Sequence, residues 1–197
     1  MLDDVERARV SAAAQPEGSI VAVLLEQHAR IHLLFEQVAR SEGEAKQVAF
    51  DRLRELLAIH ETGEELVLRP LSSRTLGVGA EVARERTGEE QEAARVMARL
   101  EQLDVHGDEF AALFADFQKA VSQHASSEES LEFARLASSV SAEELQELGR
   151  RMGHVQTLAS APEHQEAAGT TIVQYEQYEV GPFAALLDKA HEAFSRE

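Results

Sequence analysis

His60 and Glu64 stand four residues apart, as do His124 and Glu128, and His28 and His32 repeat that spacing with two imidazoles. On an α-helix such pairs lie on one face, a turn apart, so each brings two ligand-type groups to the same side. The chain contains no Cys, which removes thiolate nucleophiles, thiolate metal sites and disulfides together. Imidazole nitrogen with carboxylate oxygen suits Fe, Mn or Zn. Two glutamates placed to bridge between helices favour a pair of ions. Two redox-active irons with an open position would bind or activate dioxygen, peroxide or nitric oxide; a redox-silent zinc pair would argue for hydrolysis, yet no separate residue stands as a base.

These residues fall where a core is expected. Phe110, Phe114, Phe117, Val121, His124, Glu128 and Leu131 follow one another at intervals of three or four, and so do Leu53, Leu57, His60, Glu64 and Val67. Leu25, His28, His32 and Phe35 form a third stripe. A single inward His is ordinary core material. An inward ionised Glu costs several kcal/mol unless it is paired or coordinates a cation. A His–Glu pair within each helix accounts for one occurrence, but gives no reason for a second at the same depth on a partner helix.

The elements that must position these groups are helices. Four Pro, 5% aromatics and no strand-like alternation favour an all-α chain. Residues 1–18 read as a loosely ordered lead-in ending at Pro16-Glu17-Gly18, with Ser19 as the cap of a first helix, Ile20 to Arg40. A second runs from Glu44 to Arg69, where Pro70 stops it, and Ser72 to Gly79 reads as a loop. A third spans Ala80 to Leu103, bent or delayed at Gly88, and a fourth spans Asp108 to Ala137. Residues 19–140 thus form an up-down-up-down four-helix bundle. Residues 141–197 add a C-terminal helical extension: Ser141-Ala142-Glu143-Glu144 starts a fifth helix, Ser160 to Gly181 is an extended segment, and Pro182 opens a last helix.

A rise of about 1.5 Å per residue sets the depth of each ligand. His28 lies about 18 Å before its turn and His60 about 24 Å after it; Gln91 lies about 18 Å before the next turn and His124 about 24 Å after it. All four fall in one layer of such a bundle.

Composition narrows the partners. Nineteen Lys and Arg against 36 Asp and Glu give a net charge of −17, which repels phosphate backbones and anionic headgroups. Nucleic acid and membrane are therefore not expected as partners. The longest apolar run, Ile20 to Leu25, is about a third of a bilayer span, and the acidic N-terminus lacks a basic signal flank, so a cytoplasmic location is expected.

Leu24-Leu25-Glu26-Gln27-His28, His60-Glu61-Thr62-Gly63-Glu64 and His124-Ala125-Ser126-Ser127-Glu128 resemble, in order, the ligand pattern of hemerythrin-like, or HHE cation-binding, proteins. His28-Ala29-Arg30-Ile31-His32 and Gly181-Pro182-Phe183-Ala184-Ala185-Leu186-Leu187-Asp188 are similar to an actinobacterial-type subgroup. The resemblance implies a non-heme diiron site, Zn or Mn ranking below iron, and a small ligand such as dioxygen, peroxide or nitric oxide. It implies His28, His60, Glu64, His124 and Glu128 as metal ligands, with His32 as an extra imidazole. Glu89-Glu90-Gln91-Glu92 aligns with the family's third-helix His and presents Gln91, a weaker neutral ligand, so one iron is expected to be loosely held or absent.

Other polar groups have milder readings. His106, His154, His164 and His191 read as surface or packing residues, while Glu65 and Glu129 are placed to orient ligands and Glu61 to face solvent. Tyr175 and Tyr178 read as packing residues over the mouth of the bundle. Two rival readings remain beside a carrier or sensor: a metal-impaired helical scaffold acting through protein contacts, which Gln91 favours, and a peroxide- or nitric oxide-consuming enzyme.

Overall fold

The computed structural model describes residues 2–76, 80–159 and 182–195. Every element among them is a helix: α1 (Leu2–Ala13), α2 (Ile20–Arg40), α3 (Gly43–Gly63), a π turn (Glu64–Leu68), α4 (Arg69–Leu76), α5 (Ala80–Leu100), α6 (Asp108–Glu128), a second π turn (Glu129–Phe133), α7 (Ala134–Ser139), α8 (Ala142–Ala159) and α9 (Pro182–Ser195). The bundle is formed by α2, α3 with α4, α5, and α6 with α7. The segment Ser160 to Gly181, with its expected extended course, His164 and both Tyr residues, lies outside the described residues, as does the side chain of His154.

Local chemistry sets the helix ends. Ser19 caps α2, its Oγ accepting from the Ala22 N–H at 3.2 Å, which satisfies one of the four orphan donors of the first turn. Gly43 takes φ +54°, a left-handed conformation that lets the chain reverse from α2 into α3. Between α5 and α6 the Asp104 carboxylate accepts from the His106 N–H at 3.0 Å, and its carbonyl accepts from Gly107 N–H at 2.8 Å.

Three segments depart from the sequence reading. The lead-in is not loose: Val5 and Ala8 of α1 are buried against Ala29, with Leu33 beside them. Its stripe consists mostly of small residues, which give a weak periodic signal yet allow close helix approach. Pro70 does not stop the second helix either. The π turn ahead of it replaces the i→i+4 pattern, the Arg69 N–H bonding the Glu64 carbonyl. This wider turn relieves the clash that a Pro ring makes with the carbonyl four residues back. The helix therefore runs on to Leu76 where a loop was expected, and residues 77–79 are outside the described set. Finally, Leu131 does not belong to the inward stripe but is 64% exposed. The second π turn inserts one residue into the phase, and Phe133, five positions after Glu128, takes the inward place at 2% exposure.

Two large apolar cores result, beside the small cluster under α1. One gathers Leu53 and Leu57 with Phe35, Phe50, Phe110, Phe114 and Phe117, the five phenyl rings meeting at centroid separations of 5.1 to 6.2 Å. The other gathers Ile20, Leu24, Val67, Leu71, Phe133, Leu136, Met152 and Phe194. Burial of each such large side chain contributes roughly 1.5–3 kcal/mol. Between the two cores lies a polar layer.

Outside the bundle, α8 packs on α2 and α9 on α3. A buried ion pair fixes the start of α9: Arg54 Nη1 donates to Glu101 Oε1 at 2.7 Å, and the same oxygen accepts from the Phe183 N–H at 2.8 Å. Among the described residues no helix is long and apolar enough to cross a membrane.

Candidate metal centre

The polar layer brings together His28 from α2, His60 from α3, Glu64 from the first π turn and Glu128 from the end of α6. All four are buried, and one ligand atom from each lies within 4.8 Å of the others. Both carboxylates stand at the junction of a regular helix with a π turn, where backbone direction changes without a break.

The outer nitrogen of each imidazole is occupied. His28 Nδ1 lies 2.9 Å from Glu129 Oε1, His60 Nδ1 lies 3.0 Å from Gln27 Oε1, and His124 Nδ1 lies 2.9 Å from Glu89 Oε2. An ionised carboxylate or an amide oxygen can only accept, so each Nδ1 carries a proton and the Nε2 atoms are the ones that face the layer. That arrangement orients imidazoles toward a cation and raises their basicity. His28 Nε2 and His60 Nε2 stand 3.2 Å apart, close enough for one cation to meet both.

The carboxylates complete the pattern. Glu64 Oε1 is 3.2 Å from His60 Nε2 while its Oε2 is 3.7 Å from His124 Nε2. Glu128 Oε2 is 3.6 Å from His28 Nε2 while its Oε1 is 3.3 Å from His124 Nε2. Each glutamate thus spans from the His28–His60 side to the His124 side. Neither oxygen of Glu64 has a hydrogen bond of good geometry although the side chain is 1% exposed. A buried carboxylate in that state is a strong ligand for a cation.

Electrostatics point the same way. Burial pushes the Glu128 carboxyl up, and the charge of Glu64 adds to it, bringing it to about 8. Burial also works to raise Glu64, but the imidazoles of His60 and His124 beside it outweigh burial and hold it well below the usual carboxylate range. For His124 burial opposes protonation and is outweighed by Glu128 and Glu64, so that it is pushed up to about 12. Burial lowers His28. For His60 burial is outweighed by Glu64 and the net direction is upward. Protons thus neutralise a metal-free site that cannot hold both carboxylates ionised alone.

The other residues singled out from the sequence are dispersed. His32 is buried one turn beyond His28, with Nδ1 lacking a hydrogen-bond partner, and stands outside the four-residue cluster. Gln91 is exposed, and Glu89, two positions earlier on α5, meets the outer nitrogen of His124. Counting residues along α5 sets the level of Gln91 on the axis but not its rotation about it. Glu129 orients a ligand as expected, whereas Glu65 turns outward to pair with His191 Nε2 at 3.1 Å. Gln27 and Glu89 are orienting groups that the sequence reading missed; a polar residue beside a ligand at a buried position, as in Gln27-His28, was the available signal.

Beside the layer opens a cavity of about 770 Å³ between α2, α3, α5 and α6. His28, His32, His60 and His124 lie on its wall, and most of its other lining is apolar.

Residues 19–136 match the family described as Hemerythrin HHE cation binding domain. The chain belongs to the hemerythrin family. No curated protein and no solved structure matches it. For this hemerythrin-family chain the matched segment begins at the Ser19 cap of α2 and ends at Leu136 of α7, so it spans the bundle and contains the whole His and Glu cluster.

Proposed function

We propose that this protein holds non-heme iron between its four helices and uses it to bind, sense or reduce a small oxidant: dioxygen, peroxide or nitric oxide. The observation that carries the reading is the span of Glu64 and Glu128, each with one oxygen toward His28 and His60 and the other toward His124. Carboxylates in that position suit two neighbouring ions. The first ion would have His28 and His60 as imidazole ligands and the second only His124, so the second is the more weakly held. His32 and Gln91, the other two residues of the ligand set expected from the sequence, are not required for this arrangement. Iron bound there would supply an open coordination position and redox chemistry. The protein's own residues hold and orient it: Glu129, Gln27 and Glu89 fix the three imidazoles, and the two apolar cores limit water around the layer.

The test is anaerobic titration with Fe(II), followed by metal analysis and visible spectroscopy after exposure to peroxide. One tight and one weaker equivalent are expected, with His124→Ala removing the weaker. A folded protein that takes up no Fe(II) would refute the proposal.

A further inference from the structure

Oxidants such as dioxygen, hydrogen peroxide and nitric oxide need roughly the space of one or two waters, about 30 Å³ each. The cavity beside the His layer holds about 770 Å³, more than ten times as much. That volume is in the range of pockets for organic ligands, roughly 300–1,000 Å³, as is a lining of apolar side chains with a few convergent polar groups. Here Ile31, Leu57, Val96, Leu113, Phe117 and Val121 form the apolar wall. On the same wall stands His32, 5% exposed, its Nδ1 without a hydrogen-bond partner. A buried imidazole nitrogen left in that condition is destabilising unless something in the cavity bonds to it.

The charges restrict the occupant. Glu89, Glu92 and Asp116 are on the exposed side of the lining and oppose the entry of an anion. A cationic head against the histidines of the wall would face the bound metal. A neutral head on an apolar body meets neither obstacle.

We propose that this cavity binds a neutral organic hydroperoxide, its apolar body against the wall formed by α2, α3, α5 and α6 and its head hydrogen-bonded to His32 beside the metal layer. The proposal rests on the metal reading above and names the substrate class of that same site. It also gives His32 a role other than metal ligand: it positions the ligand head.

The test uses the full chain loaded with zinc, which is redox-silent and leaves the probe intact. Calorimetric titration with cumene hydroperoxide is compared with hydrogen peroxide and with cumene, the hydrocarbon without a head. Cumene hydroperoxide is expected to bind at least ten-fold more tightly than hydrogen peroxide. Val121→Trp, or Leu113→Trp if the first variant does not fold, should weaken it at least ten-fold with zinc stoichiometry unchanged. His32→Leu should weaken cumene hydroperoxide about two- to ten-fold, the range of one neutral hydrogen bond, and leave cumene unchanged. Equal affinity for the hydroperoxide and hydrogen peroxide, or loss of zinc in His32→Leu, overturns the proposal. Metal uptake without hydroperoxide binding overturns the cavity assignment alone, whereas hydroperoxide binding without uptake of iron or zinc overturns the metal reading alone.

Discussion

Glu129→Ala tests whether the imidazoles are held for a metal or merely packed. Glu129 is the acceptor for His28 Nδ1 at 2.9 Å, with the His28 side chain 1% exposed and that of Glu129 16% exposed. Loss of such an orienting group costs about 10- to 100-fold in metal affinity. At about 1.36 kcal/mol per decade this is roughly 1.4–2.7 kcal/mol. At a metal concentration about 1,000 times the wild-type Kd, the bound ion stabilises the wild-type fold by about 4.1 kcal/mol. The variant at the same concentration retains about 1.4–2.7 kcal/mol. For a chain of this size about 2–4 °C accompanies each kcal/mol, so the metal-induced rise in Tm falls from about 8–16 °C to about 3–11 °C. Chelator competition measures the affinity and thermal melts with and without metal measure the linkage. Glu129→Gln keeps an acceptor for the same N–H and should remain within about ten-fold of wild type. If Glu129→Ala binds metal with wild-type affinity while circular dichroism shows a folded chain, the orienting role is refuted.

Metal uptake should strengthen as pH rises. In the metal-free site His124, pushed up to about 12, and Glu128, pushed up to about 8, both hold protons near neutrality, and a metal must displace them. Two displaced protons mean about two decades of apparent affinity between about pH 6 and pH 7, measured by competition in buffered chelator; a flat profile would contradict the coupling. Phe133→Ala should cost about 3–5 kcal/mol in urea unfolding, since its ring is buried and stacked on His28 at 5.6 Å, whereas Leu131→Asp should stay within about 0.5 kcal/mol. Equal effects would mean that the π turn does not set the phase. Arg54→Met leaves Glu101 buried without its guanidinium and should cost about 3–5 kcal/mol, with α9 becoming the first site of limited proteolysis. The double variant Arg54→Met, Glu101→Leu should recover much of that stability, and failure to do so would deny the ion pair its role.

The stripes through Leu25, His28, Leu57, His60, Phe117 and His124 were legible because large apolar residues flank the ligands at a regular helical interval. The same logic failed where regularity failed. One extra residue in a π turn leaves no mark in composition, so the regular interval points inward at Leu131 and passes over Phe133. Pro70 carries a strong local signal, which the preceding wide turn overrides. Counting residues from a turn locates depth better than azimuth, and so it gives no sign that Glu89 is an α5 residue that meets His124. The helix of α1 was hidden for another reason: Ala contributes little to an apolar stripe even where it packs closely.

The separation of the apolar interior into two cores bears on cooperativity. Each core has its own aromatic or aliphatic cluster; α2, α3 and α6 pass from one to the other through the His and Glu layer, while α9 reaches both from outside the bundle, with Phe183 and Leu186 in one and Phe194 in the other. A layer that is weakly cohesive without a cation is a plane along which the bundle can open in halves. An ion bound by groups on α2, α3 and α6 would act as a cross-tie across that plane. Amide hydrogens on the two sides, exchanging at different rates in the metal-free chain, would then converge toward a single global opening.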